Sequence, residues 1–76
     1  MKIKFTRHAK RRMKLYNILP EHVVDVIKKC DKINNTEDSF EAIANLQNFI
    51  YPVKVIYKES DDYKLIITAY PLKRKL

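Results

Sequence analysis

The hydrophobic pattern changes its period near Asp31, and this change limits the folds open to the chain more than any other feature. Before Asp31 the apolar residues recur at the spacing of one face of a helix. After Asp31 they alternate with polar residues, which is the spacing of a strand. Because helices precede strands instead of alternating with them, the pattern favours an α+β fold in which a helical layer covers one face of an antiparallel sheet.

Two helices are predicted in the first part of the chain. Thr6 is a suitable N-cap for a helix over residues 7–16, and Pro20 suits the first position of a second helix over 20–29. The chain has no glycine, so another residue has to fill the left-handed position that ends the first helix. Asn17 meets that need, since asparagine enters this conformation more readily than most residues do.

An antiparallel sheet of three or four strands is predicted in the second part. Clear alternation covers residues 40–46, 53–58 and 63–70, and weaker alternation covers 3–5 and 32–36. Strict alternation through the last strand would place Ile66, Thr68 and Tyr70 on one face of the sheet. With 76 residues the chain has room for one core, so residues 1–76 are expected to form a single domain.

The cysteine content and the hydropathy pattern indicate a cytoplasmic protein. Cys30 is the only cysteine, so no disulfide can form within the chain, as is usual in a reducing compartment. No stretch approaches the roughly 18 consecutive apolar residues that predict a membrane span, so no membrane partner is expected. These patterns leave the oligomeric state open.

The charges are distributed unevenly along the chain, and this distribution predicts a polyanion-binding face. Residues 1–14 carry seven cations and no acid, residues 31–62 have a net charge of −4, and residues 63–76 have a net charge of +4. If the fold brings the two basic ends together, they form a surface suited to nucleic acid. The alternative is a lysine- and glutamate-rich surface of the thermophile kind. The residues expected to contact nucleic acid are Arg7, Lys10, Arg11, Tyr70, Lys73 and Arg74.

His8 is the candidate for acid–base chemistry in the first helix. Arg11 and Arg12 follow it at the i+3 and i+4 positions, so all three side chains can point to one side of the helix. An imidazole exchanges protons near neutral pH, and guanidinium groups hold phosphate oxygens in a fixed fork. This set can act on a phosphodiester without a metal. The alternative is that His8 is simply a surface residue of a basic helix.

No metal or cofactor site is predicted. His8, His22 and Cys30 are too widely spaced for a zinc motif, and His22 is expected to be exposed near the start of the second helix. The absence of glycine also excludes the phosphate-binding loops of nucleotide-binding proteins.

Two stretches resemble a known family. The segment His8-Ala9-Lys10-Arg11-Arg12-Met13, followed by Ile18, resembles the His-Ala-x-x-Arg-Met…Ile signature of a small prokaryotic family of domains of unknown function. The strand pair over residues 53–58 and 65–71 is a second, less specific match, and the likeness covers most of the chain. That family is similar to the RelE/ParE-like and colicin-nuclease-like ribonuclease toxins, whose fold packs two helices on an antiparallel sheet.

The resemblance implies a metal-independent RNA endonuclease of a toxin–antitoxin system, often paired with an antitoxin protein. In this class the 2′-hydroxyl attacks the adjacent phosphate. Carried over by position, His8 is the acid/base and Arg12 the phosphate clamp, while Thr68 occupies the polar catalytic position of the last strand. Where family members show Arg-Gly, this chain has Tyr16-Asn17, so one phosphate contact is missing and Arg11 is placed to compensate.

Two other functions fit the same sequence. One is a non-catalytic basic module that binds RNA or DNA, for which salt-sensitive binding is expected. The other is a protein-interaction domain related to such toxins, which would recognise an acidic partner. Cleavage of RNA that depends on His8 separates the enzyme from both alternatives.

Overall fold

Two helices and five strands follow one another in the computed structural model, which describes residues 2–73. Their order is β1 (Ile3–Phe5), α1 (Arg7–Tyr16), α2 (Pro20–Lys29), β2 (Lys32–Asn35), β3 (Phe40–Ala44), β4 (Val53–Glu59) and β5 (Lys64–Pro71). The predicted α+β class with two N-terminal helices is confirmed. Within residues 2–73, neither helix is long and apolar enough to cross a membrane.

The strands form one mixed sheet in the order β1-β5-β4-β3-β2. β1 runs parallel to β5, and the remaining neighbours are antiparallel. The prediction of three or four antiparallel strands is therefore wrong in strand number and in the direction of β1. Alternation identifies a strand but not its partner, and β1 pairs with the strand that is most distant along the described chain.

Both helices pack on the same face of the sheet. α1 lies mainly over β5, whereas α2 lies over β3 and β4. The helices contribute four buried residues, Ala9, Met13, Val23 and Val26, and the strands contribute Ala42, Ala44, Val53, Val55, Tyr57, Ile66 and Ala69 to the same cluster. The opposite face of the described sheet is covered by neither helix.

A β-bulge interrupts the pairing of β4 with β5. Ile56 pairs with Thr68, but the next residue, Tyr57, pairs with Ile66, so Ile67 is the extra residue. The bulge returns Ile66 to the helix-covered face, where it is fully buried with Ala69. The prediction that Ile66 shares a face with Thr68 and Tyr70 is therefore wrong, because strict alternation does not continue through a bulge.

The ends of α1 are capped as the sequence predicts. The Thr6 hydroxyl accepts a hydrogen bond from the Ala9 amide at 3.0 Å. At the other end Asn17 adopts left-handed backbone angles, with φ 56° and ψ 39°. The Ile18 amide then donates to the Met13 carbonyl at 2.8 Å, and Ile18 is buried. This arrangement is a Schellman cap, and it turns the chain sharply towards α2.

Candidate functional site

One line of side chains along α1 carries the residues predicted to act on phosphate. His8, Arg12 and Tyr16 are spaced four residues apart, so they lie one above another on the helix surface. His8 and Arg12 are exposed, and Tyr16 is half-buried against the core. The Arg12 Nη1 donates to the Tyr16 hydroxyl oxygen at 3.5 Å, a long contact that directs the guanidinium towards the end of the helix.

A cleft lies between this line and the end of β5. β1 pairs only with residues 64–66, so the rest of β5 forms an edge of the described sheet. The cleft has a volume of about 570 Å³ and is lined by Arg12, Tyr16, Tyr70, Pro71, Leu72 and Lys73. We call it the cationic cleft. It brings together the predicted phosphate clamp and two predicted nucleic-acid contacts, Tyr70 and Lys73.

The other predicted site residues lie around the cleft or apart from it. His8 does not line the cleft but precedes Arg12 by one helical turn. Three basic residues are exposed elsewhere on α1, namely Arg7, Lys10 and Arg11. Arg74 lies outside the described residues.

Thr68 is not brought together with His8 and Arg12. It is only 9% exposed, and its hydroxyl oxygen is buried with no hydrogen-bond partner among the described residues. It pairs with Ile56 and does not line the cationic cleft. A buried hydroxyl in this position cannot contact a substrate without a rearrangement of the surrounding side chains.

The cations of α1 are not neutralised by acidic side chains. Among residues 2–73 there are two ion pairs, Lys54–Glu41 at 3.2 Å and Lys64–Glu59 at 3.1 Å, and both join strands. α1 carries five arginine or lysine residues and no acid. Like charges three or four residues apart destabilise a helix, and cations in its first turn oppose the helix dipole. A bound anion would offset both effects, so the surface of α1 is suited to an anionic ligand.

Lys54 differs from the cations of α1 because its charge is already compensated. It lies opposite Tyr70 in the β4–β5 register and contacts Glu41. Burial alone would lower the pKa of Lys54, but hydrogen bonding to Glu41 and the neighbouring Tyr70 hydroxyl raise the pKa above its ordinary value. Lys54 stays protonated and contributes little net positive charge to the surface.

A second cavity adjoins the cationic cleft. It measures about 410 Å³ and is lined by Tyr16, Asn17, His22, Asn48, Phe49, Ile50, Tyr51 and Pro71. We call it the aromatic cavity. It shares Tyr16 and Pro71 with the cationic cleft, so the two cavities are adjacent. Residues 47–52 lie between two predicted strands, and the sequence reasoning gave them no role. The signal it missed is the run Phe49-Ile50-Tyr51, which places three large apolar residues between those strands.

His22 has a structural role that the sequence did not reveal. Leu19 precedes α2 and has no side-chain oxygen to cap it, and the His22 Nδ1 accepts a hydrogen bond from the Leu19 amide at 2.9 Å. The His22 ring also meets Phe49 edge to face, with centroids 5.1 Å apart. The expectation that His22 is exposed is wrong, because these contacts leave it half-buried.

A concavity at the β4–β5 hairpin is unsuited to phosphate. It measures about 220 Å³, and its lining holds three carboxylates, Glu59, Asp61 and Asp62, and two lysines, Lys2 and Lys64. Lys64 pairs with Glu59, so the lining keeps a small excess of negative charge, which disfavours a polyanion. The cationic cleft, in contrast, is lined by two cations, Arg12 and Lys73, and by no acid.

Comparisons with known proteins add no identity to this geometry. No protein-family model matches the chain, and no curated protein or solved structure is significantly similar to it. Function is therefore inferred from the chemistry of the site and from the motif resemblance.

Proposed function

We propose that the chain is a metal-independent RNA endonuclease of the toxin type. The observation that carries this proposal is the cationic cleft, which Arg12 lines together with Lys73 and Tyr70, one helical turn from the exposed His8. Arg12 and Lys73 provide two positive charges for one phosphate, and an arginine fork can bind two of its oxygens. His8 is the acid/base.

The proposed reaction uses the RNA's own 2′-hydroxyl as nucleophile. His8 takes the 2′-hydroxyl proton, and the 2′-oxygen forms a bond to phosphorus as the bond from phosphorus to the 5′-oxygen breaks. The imidazolium returns the proton to the leaving 5′-oxygen. The products are a 2′,3′-cyclic phosphate and a 5′-hydroxyl, and Arg12 stabilises the charge that develops on the phosphate oxygens.

Two features of the fold support the toxin-type proposal. Two helices cover one face of a sheet, which is the layering that the RelE/ParE-like resemblance implies. The departure at Tyr16-Asn17 is also accommodated, since Asn17 supplies the left-handed cap and the Tyr16 hydroxyl contacts Arg12. Thr68 is left out of the proposed machinery because its hydroxyl is buried. A cognate antitoxin remains part of the proposal.

The test is cleavage by the wild type and three variants, first of protein-free cellular RNA in EDTA and then of RNA on translating ribosomes in a buffer that contains Mg²⁺. His8→Ala and Arg12→Ala are each expected to lose roughly 100-fold or more in rate, which is the usual contribution of acid–base catalysis for His8 and of electrostatic stabilisation for Arg12. Lys29→Ala, which removes an exposed cation from the end of α2, is expected to cleave like the wild type. Cyclic-phosphate termini are expected on the products.

The outcomes separate the roles cleanly. Full activity of His8→Ala would remove His8 from the mechanism. Absence of cleavage by the wild type, with and without ribosomes, would overturn the nuclease proposal altogether.

The second candidate is a non-catalytic nucleic-acid-binding module. It is favoured by the five cations of α1, none of which forms an ion pair within residues 2–73. Binding without cleavage, with a log–log salt slope of about 0.7–0.9 per phosphate contact, would support this candidate over the enzyme.

A further inference from the structure

We infer that the aromatic cavity is a binding site for one unpaired base of single-stranded RNA, next to the phosphate held in the cationic cleft. This inference rests on the proposed function, because it assigns to RNA the surface that adjoins the proposed site. It adds a substrate class, namely a strand whose base is free of a duplex at that position.

The aromatic cavity and the cationic cleft share one wall. Tyr16 and Pro71 line both, with Arg12 and Lys73 on one side and Phe49 and Tyr51 on the other. A nucleotide likewise has a charged part and an apolar part, because its anionic phosphate is joined through a sugar to a flat, largely apolar base. Bases within a duplex are stacked on their neighbours, so only an unpaired base can enter such a cavity.

Two large apolar side chains of the aromatic cavity are exposed. Ile50 is 82% exposed and Tyr51 is 41% exposed, and both line the cavity. An aromatic ring beside a basic groove is the common platform on which proteins stack single-stranded bases, because every base offers a π-face. Tyr51 is the exposed aromatic ring in this lining and is therefore the expected stacking partner.

His22 also lines the cavity, and its hydrogen bonding fixes which ring nitrogen can donate. Its Nδ1 accepts from the Leu19 amide, so the neutral imidazole holds its proton on Nε2. The edge-to-face contact with Phe49 restrains the ring. A restrained N–H donor matches the carbonyl oxygens and ring nitrogens at the edges of bases. An apolar side chain of a protein partner offers no acceptor for it.

The test measures binding of a 2′-O-methyl uridine hexamer, which lacks the nucleophilic hydroxyl, by fluorescence anisotropy. The same hexamer with an abasic residue at each position in turn is the matched probe. Tyr51→Ser is expected to weaken binding roughly 5- to 150-fold, the range for loss of one stacked base, whereas Tyr51→Phe stays within about 2-fold. Ile33→Ser changes an exposed apolar residue on β2 and should have no effect.

The abasic probes complete a double-mutant cycle. An abasic residue at one position should weaken binding to the wild type but cause no further loss in Tyr51→Ser. Additive losses at every position would overturn the base site. Equal binding of all probes, with loss only in Arg12→Ala, would also overturn it and would leave the cationic cleft intact. If the losses from the abasic residue and from Tyr51→Ser are not additive but the protein cleaves no RNA, the base site stands and only the nuclease proposal is refuted.

Discussion

A single hydroxyl, that of Thr6, joins α1 to β5. Its Oγ1 accepts from the Ala9 amide at the start of α1 and donates to the Ile67 carbonyl at 2.9 Å. Ile67 is the bulged residue of β5, so the same side chain caps the helix and satisfies the irregular strand. The Thr6 amide also donates to the Ile66 carbonyl at 3.0 Å. This hydrogen bond extends the pairing of β1 with β5 up to the residue that precedes α1.

Thr6→Ala is expected to reduce the free energy of unfolding by about 1–2 kcal/mol, because it removes the cap and leaves the Ile67 carbonyl without its partner. Thr6→Ser keeps the hydroxyl and should lose much less. Urea unfolding followed by circular dichroism measures both. Equal losses in the two variants would show that the threonine methyl group, and not the hydrogen bonds, stabilises this junction.

Local chemistry explains which residues the sequence predicted correctly. The caps at Thr6 and Asn17 depend on residues within one helical turn, so their roles can be read from the sequence. The roles of His22 and Thr68 depend on more distant structure. His22 packs on Phe49 of a loop far along the chain, and Thr68 is buried through the β4–β5 register.

Among the elements, α1 combines poor intrinsic stability with a concentrated positive charge. Lys10 lies in the first half of the helix and four residues before Lys14, so it opposes the dipole and repels its neighbour. Proteins commonly keep such unfavourable charges where function requires them. The helix is held in place by the packing of Ala9 and Met13 on the sheet.

Lys10→Glu is expected to stabilise the protein by about 0.5–1 kcal/mol, because it creates a favourable pair with Lys14 and complements the dipole. The same change should weaken RNA binding and reduce the log–log salt slope by more than the 0.7–0.9 of a single contact, since it also adds a negative charge. Lys10→Gln is the control, and its stability and RNA binding should both lie between those of the wild type and those of Lys10→Glu. Thermal unfolding and anisotropy titrations measure them, and a loss of stability in Lys10→Glu would contradict the charge argument.

The elements also show where periodicity stops being informative. Helices and strands longer than three residues appear where the pattern predicts them, including the weak strand β2. The direction of β1 and the bulge at Ile67 do not follow from it. Three residues of alternation contain no information about a partner, and a bulge is invisible to a rule that assumes strict alternation. The cationic cleft depends on the pairing of β1 with residues 64–66 alone, so it too could not be derived from periodicity.

At the scale of the whole molecule, the charge of +7 is a source of self-repulsion. Two ion pairs within residues 2–73 compensate little of it, and both lie on the sheet. Repulsion among the exposed cations falls when salt shortens the range of their interaction.

The melting temperature is therefore expected to rise by a few degrees when NaCl is increased from about 10 mM to about 300 mM. Lys10→Glu has a net charge lower by two and should show a smaller rise. Differential scanning calorimetry measures both proteins in the same buffer series. If the melting temperature rose equally in both proteins, the salt effect would come from exclusion of the salt from the protein surface and not from weaker charge repulsion.

The parallel pairing of β1 with β5 also decides when the protein can acquire its structure during synthesis. β5 lies between β1 and β4, and α1 packs mainly on β5. While residues 64–71 are still inside the ribosome, β1 has no neighbouring strand and α1 has no sheet to cover. The amino-terminal segment therefore waits, as a basic and mostly unstructured chain, for the strand translated long after it. The cationic cleft forms only once that strand has emerged, so a nascent chain carries the cations of α1 without the site that they help to build.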